Sequence, residues 1–128
     1  MSKSIRKTLA LILSIVMLMS ALPMSYSFAS PETDYVFIRS GSEVTITGYK
    51  GTDAVVIIPE KISVSAVVAI GEGAFSSKTA ITSVTIPGTV RSISSGAFYG
   101  CSALEDIELA EGVVIEDWAF SKTPVVLP

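Results

Sequence analysis

Six carboxylates crowd the stretch from residue 105 to 117: Glu105, Asp106, Glu108, Glu111, Glu116 and Asp117. In an extended strand, alternate side chains share a face, so Asp106 and Glu108 project together. Two adjacent carboxylates are the beginning of a calcium site, but that ion wants about six to eight oxygens. No calcium-loop spacing is present, and the expected strand neighbours, Ser83 and Thr85, add few further oxygens. The run is therefore expected to be a solvated acidic face, with no metal. Cys101 is the only cysteine, and the chain has no histidine. A nucleophilic thiol needs help to ionise, and the commonest base is missing. Cys101 reads as a small buried hydrophobe. Gly71-Glu72-Gly73 is not a phosphate loop, because it lacks the Lys-Ser/Thr that would follow. Without histidine or paired inward acids, an enzyme is not expected, and neither is a cofactor.

These residues are positioned by a repeat. The dipeptide Ala-Phe occurs as Ala74-Phe75, Ala97-Phe98 and Ala119-Phe120. Phe98 lies 23 residues after Phe75, and Phe120 lies 22 after Phe98. A matching apolar set precedes each pair. Val56-Ile57-Ile58-Pro59 leads to Ile62, Val67 and Ile70. Val84-Thr85-Ile86-Pro87 leads to Val90 and Ile93. Ile107-Glu108-Leu109 leads to Val113 and Ile115. A period in this range marks a solenoid whose coils bury one another.

The stretch "SVTIPGTVRSISSGAFYGCSALEDIELAEGV" resembles the leucine-rich repeats of BspA-like bacterial surface proteins. Their consensus runs L-x-x-I-x-I-P-x-x-V-x-x-I-G-x-x-A-F-x-x-C-x-x-L. Residues 81–110 match it at nearly every apolar position, and the likeness extends over about 44–120. The resemblance implies a surface-adhesion or matrix-recognition role, and it implies that Cys101 packs inside its coil.

The residues support the same fold on their own. Ile81, Val84 and Ile86 are expected to point inward, with Thr82, Ser83 and Thr85 outward. Leu104, Ile107 and Leu109 repeat the inward set, with Glu105, Asp106 and Glu108 outward. Pro87, lacking an N–H, suits a corner. Phe75, Phe98 and Phe120 are expected as core plugs, one per coil, together with Ile86, Leu109 and Cys101. The outward column reads Ile57, Thr85, Glu108, Val126. Concave solenoid faces commonly carry recognition, so Ile57, Ser83, Thr85, Asp106 and Glu108 are the candidate binding residues. Trp118, which replaces the glycine of the two earlier repeats, is expected to act as a lid on the last coil. "EKISVSAV" (60–67) makes the first coil longer, and a bulge is expected there.

The ends complete the expected organisation. Lys3, Arg6 and Lys7, an apolar run over 9–19 and Ser27-Phe28-Ala29 describe a secretory signal peptide over residues 1–29. Its removal takes three of nine basic residues and none of twelve acidic ones, leaving a charge of −6. Such a chain suits neither nucleic acid nor an anionic membrane surface. Residues 30–55 contain two alternating strands around Ser40-Gly41-Ser42-Glu43, a hairpin signal, expected to cap the array. Residues 56–128 form that array, whose last coil is short. Val125–Pro128 reads as a final strand, and its open edge invites pairing with another chain.

The expectation is thus a mainly β leucine-rich-repeat solenoid of about three coils, capped by an N-terminal β-hairpin. It would be secreted or held at the cell surface, where it would bind an extracellular protein or glycan. The alternative is a non-catalytic scaffold or spacer module, or a truncated fragment, of a larger exported enzyme or wall-associated protein.

Overall fold

The computed structural model describes residues 29–128. The expected leader lies outside the described residues, apart from Ala29. Among the described residues a single 3-10 turn, Glu32–Asp34, precedes nine strands. These are β1 (Tyr35–Ser40), β2 (Glu43–Tyr49), β3 (Val55–Ile57), β4 (Lys61–Ile62), β5 (Ser65–Ile70), β6 (Ser83–Thr85), β7 (Ser92–Ile93), β8 (Asp106–Glu108) and β9 (Val114–Ile115). They form two sheets. One runs β3-β6-β8 and is wholly parallel. The other runs β1-β2-β5-β7-β9, with β4 paired to β5 at the side. Each coil contributes one strand to the first sheet, one to the second, and then an Ala-Phe turn. Three such coils make the solenoid.

The period of two within each short strand decides what is buried. Val56 and Val84 point inward at 0 % exposure, and their neighbours on either side face outward. In the second sheet, Ile46, Ile70, Ile93 and Ile115 stand in one row across β2, β5, β7 and β9. The first three are fully buried; Ile115, in the last coil, is half-buried.

The aromatic plugs stand in a column. Phe75 and Phe98 have ring centroids 4.9 Å apart, with planes 9° from parallel. Phe98 and Phe120 repeat this at 5.0 Å and 4°. The spacing follows from the backbone, because neighbouring strands in a sheet lie about 4.8 Å apart. Identical residues at identical places in successive coils must then stack nearly parallel, within the range favoured for aromatic pairs. Tyr35 and Tyr49 extend the column beyond Phe75, the Tyr49 ring lying 5.2 Å from Phe75.

That extension is how the hairpin caps the array. Gly41 takes φ +61° as the first residue of the two-residue turn between β1 and β2, a place suited to glycine in a tight hairpin. Strand β2 then pairs in parallel with β5, and the two tyrosines cover the open ring face of Phe75. The Tyr35 hydroxyl donates to the Ile57 carbonyl at 3.2 Å, and the Tyr49 hydroxyl donates to Asp53 Oδ2 at 3.3 Å. The polar tips thereby keep partners while the rings are buried.

Several expectations need correction. Phe120 and Leu109 belong to the core only in part, since both are half-buried. Their inner sides meet the second coil, and among the described residues no fourth coil covers their outer sides. Residues 125–127 do not form a strand. Val126 is 86 % exposed and does not continue the column of Thr85 and Glu108. The extra residues of the first coil do bulge outward, but as an ordered fold-back, and the ladder to β2 then skips Val68. Strand β4 folds back antiparallel on β5, pairing Lys61 with Ala66 and Ile62 with Ser65. Ile62 is buried, and the turn at Ser63 and Val64 stands in solvent.

Candidate functional site

The three-stranded sheet presents two columns on its outward face. Register places Val55, Ser83 and Asp106 side by side, and Ile57, Thr85 and Glu108 side by side. The structure therefore brings together all five candidate residues, Ile57, Ser83, Thr85, Asp106 and Glu108. It adds Val55, which is 53 % exposed. Sequence reasoning missed Val55 because the first strand was taken to start at residue 56; its spacing of two from Ile57 was the available signal. Asp106 and Glu108 are exposed, and Ile57, Ser83 and Thr85 are half-exposed. The Thr85 hydroxyl donates to Glu108 Oε2 at 3.5 Å.

The face grades from aliphatic through hydroxyl to carboxylate along the stack. Its backbone is fixed by ladder hydrogen bonds: the Ile58 N–H donates to the Thr85 carbonyl at 3.0 Å, and the Ile86 N–H to the Glu108 carbonyl at 2.8 Å. Such a surface can accept hydrogen bonds from hydroxyl, amide or cationic groups while an apolar part packs on Val55 and Ile57. Among the described residues, no group of three or more metal-ligating side chains could hold an ion.

Cys101 behaves as a core residue. It is fully buried, and its thiol donates to the Phe75 carbonyl in the coil before, at 2.9 Å. Burial pushes the thiol pKa up, which keeps the sulfur protonated. The equivalent places in the other coils are filled differently. Lys78 is half-buried, and Thr123 closes its own turn by donating to the Phe120 carbonyl at 2.6 Å.

Trp118 is not a lid. It is 70 % exposed, and its backbone explains why. The residue before each Ala-Phe takes a left-handed conformation: φ is +63° at Gly73, +64° at Gly96 and +67° at Trp118. A side chain attached there projects from the turn instead of folding over the coil end. The alignment of Trp118 with two glycines was visible in the sequence, and that was the signal for its exposure.

Coils of this length, stacked Ala-Phe turns and a short parallel strand per coil define the fold. A family model described as BspA type leucine rich repeat region (6 copies) matches residues 56–126. The chain belongs to the BspA-type leucine-rich-repeat family. A leucine-rich-repeat protein from T. pallidum is 30 % identical, with a TM-score of 0.73 over 79 % of this chain and 50 % of its own. One from Bacteroides capillosus is 33 % identical, with a TM-score of 0.62 over 68 % of this chain and 70 % of its own. A leucine-rich cell surface protein from Faecalibacterium prausnitzii is 30 % identical, with a TM-score of 0.57 over 77 % of this chain and 26 % of its own. The chain thus spans half the length of the T. pallidum protein. No curated protein matches it.

Proposed function

We propose that this BspA-type chain is an exported, non-catalytic recognition module, and that the outward face of β3, β6 and β8 binds an extracellular protein or glycan. The observation that carries the reading is the double column, Val55-Ser83-Asp106 beside Ile57-Thr85-Glu108, held on a hydrogen-bonded ladder. Pre-ordered groups lose little freedom on binding, which favours affinity. The leader-like first 29 residues and the cell-surface relative support a place outside the cell. A catalytic role lacks support from side-chain chemistry, since the chain contains no histidine and its one thiol is buried and protonated.

The test is an array of glycans and extracellular-matrix proteins probed with wild type, Glu108→Lys and Thr85→Ala. Binding that falls with either substitution supports the face. A ligand held equally by all three proteins refutes the assignment. A second reading, a spacer module within a longer array, draws on the modest share of its relatives that the chain spans. In that case wild type retains no ligand on the array.

A further inference from the structure

A cleft opens between the loop ahead of β3 and the turn ahead of β6. Its volume is about 230 Å³, and its walls include Thr52 and Asp53 on one side and Ser77, Lys78, Thr79 and Ile81 on the other. Both walls are fixed. Beyond the cleft they are joined at Thr82, whose N–H and hydroxyl both donate to the Ala54 carbonyl, at 2.7 and 3.1 Å. The Ser77 N–H donates to the Tyr99 carbonyl at 2.7 Å. The Tyr49 hydroxyl, at 3.3 Å, holds Oδ2 of the exposed Asp53. Gly51 lies so close to the same tyrosine that a Cβ there would collide with its hydroxyl and with Asp34 Oδ2.

Lys78 is the residue that the fold does not explain. It fills the place that the fully buried Cys101 takes in the next coil, where a side chain points to the interior. A lysine can follow that direction with its stem only, and its ammonium must reach water. Lys78 is accordingly half-buried and lines the cleft. Burial raises the Cys101 pKa, and the nearby Lys78 charge offsets part of the rise. Yet no carboxylate pairs with this lysine. The one ion pair among the described residues joins Arg91 to Glu43, and residues 1–28 contain no aspartate or glutamate. Asp53 lines the same cleft and does not close on Lys78. Opposite charges thus share an open space, together with the hydroxyls of Thr52, Ser77 and Thr79.

We infer that this cleft binds the terminal residue of an acidic glycan, a sugar ring that carries a carboxylate. The carboxylate pairs with the Lys78 ammonium in a charge-assisted hydrogen bond. Ring hydroxyls donate to Asp53 and exchange hydrogen bonds with the three wall hydroxyls. The buried Ile81 supplies the apolar part of the wall. Sites for drug-sized ligands start at about 300 Å³, and a smaller cleft suits a single ring. The chain is acidic overall and does not draw anions from a distance, so affinity rests on the contact at Lys78. The inference deepens the binding reading above by naming a ligand class, and it rests on that reading, but its residues are not those of the β3-β6-β8 face.

The test is saturation-transfer NMR on the whole chain with methyl β-glucuronide, methyl β-glucoside and glycine as probes. The glucuronide is expected to bind, and the glucoside to bind about ten-fold more weakly or worse, since it lacks the hydrogen bond between charged groups. Lys78→Met keeps the stem and removes the charge, and should abolish the preference for glucuronide; Lys78→Arg should keep it. Asp53→Asn, at an exposed position, should weaken both sugars whether or not Lys78→Met folds. Glu108→Lys, on the other face, should leave glucuronide binding intact. Loss of binding in Glu108→Lys but not in Lys78→Met would put the sugar on the β3-β6-β8 face and overturn the inference. A wild type that retains glycans on the array but not the glucuronide would leave that face standing and remove the cleft. Equal binding of the two sugars, or transfer to glycine in place of the glucuronide, would overturn the inference as well.

Discussion

Replacing Phe98 by alanine probes the stack of coils at its centre. Phe98 is fully buried and is the only ring of the phenylalanine column with a phenylalanine on both sides, at 4.9 and 5.0 Å. Truncating a buried phenylalanine costs about 3–5 kcal/mol, and the figure rises with the cavity left behind. Each ring pair adds about 0.5–1.5 kcal/mol beyond burial, so two lost pairs put Phe98→Ala near 5 kcal/mol. The coils are held by their ladders at a fixed spacing and cannot collapse to fill the gap. Phe120 is half-buried and stacks on one phenylalanine. Its truncation should cost about half as much, near 2 kcal/mol, by the same reasoning. Urea unfolding followed by far-ultraviolet circular dichroism gives both values. A domain of this size has about 5–15 kcal/mol in total, so Phe98→Ala should be at or near the limit of folding. If Phe120→Ala proved as costly as Phe98→Ala, or Phe98→Ala cost less than about 1.5 kcal/mol, the column would not be what holds neighbouring coils together.

Alkaline pH should weaken the fold in two steps. Burial holds the Cys101 thiol and the Tyr35 and Tyr49 hydroxyls protonated to higher pH than in an open chain. Their contribution is complete below the unfolded pKa values, about 8.5 for the thiol and 10 for the phenols, and is lost as pH rises past them. Thermal midpoints measured from pH 7 to 11 should fall accordingly, with a shallower fall in Tyr35→Phe. Cys101 should resist a thiol reagent in the folded protein and react once urea unfolds it; rapid reaction in native buffer would contradict its burial. Ser77, at φ +60°, sits where the next coil has Gly100 at φ +71°. Ser77→Gly should therefore raise stability by up to about 1 kcal/mol, and Gly100→Ala should lower it by a similar amount, both measurable by urea unfolding.

The coil architecture was legible because the same side chains recur at places with one structural meaning. Phe75 and Phe98, Val56 and Val84, and Ile70 and Ile93 each fill equivalent places, and two coils suffice to define the register. The outward columns followed from a period of two. What escaped the sequence depends on neighbours, not on residue type. Phe120 and Leu109 carry the same side-chain chemistry as their buried counterparts, yet their exposure is set by what lies beyond the third coil. Trp118 is apolar, and hydrophobicity alone suggests burial; the backbone conformation of its turn overrides that preference. The fold-back of β4 on β5 was hidden because "KISVSA" carries no glycine or proline to mark a turn, and Ser63 takes φ +56° instead.

That small fold-back shows where the molecule tolerates variation in length. Within a strand the count is fixed, because one added residue would turn every side chain beyond it to the other face. The turn between the two strands of a coil absorbs a single residue, since Phe120 lies 22 residues after Phe98, one fewer than separate Phe75 and Phe98, and still stacks at 5.0 Å. Ahead of Phe75, several extra residues loop out between Lys61 and Ala66 and rejoin the coil with Ile70 still aligned to Ile93. A grafted epitope or a fluorescent tag carried between Ser63 and Val64 would accordingly leave the spool wound as it is, whereas the same graft at an Ala-Phe turn would unwind it.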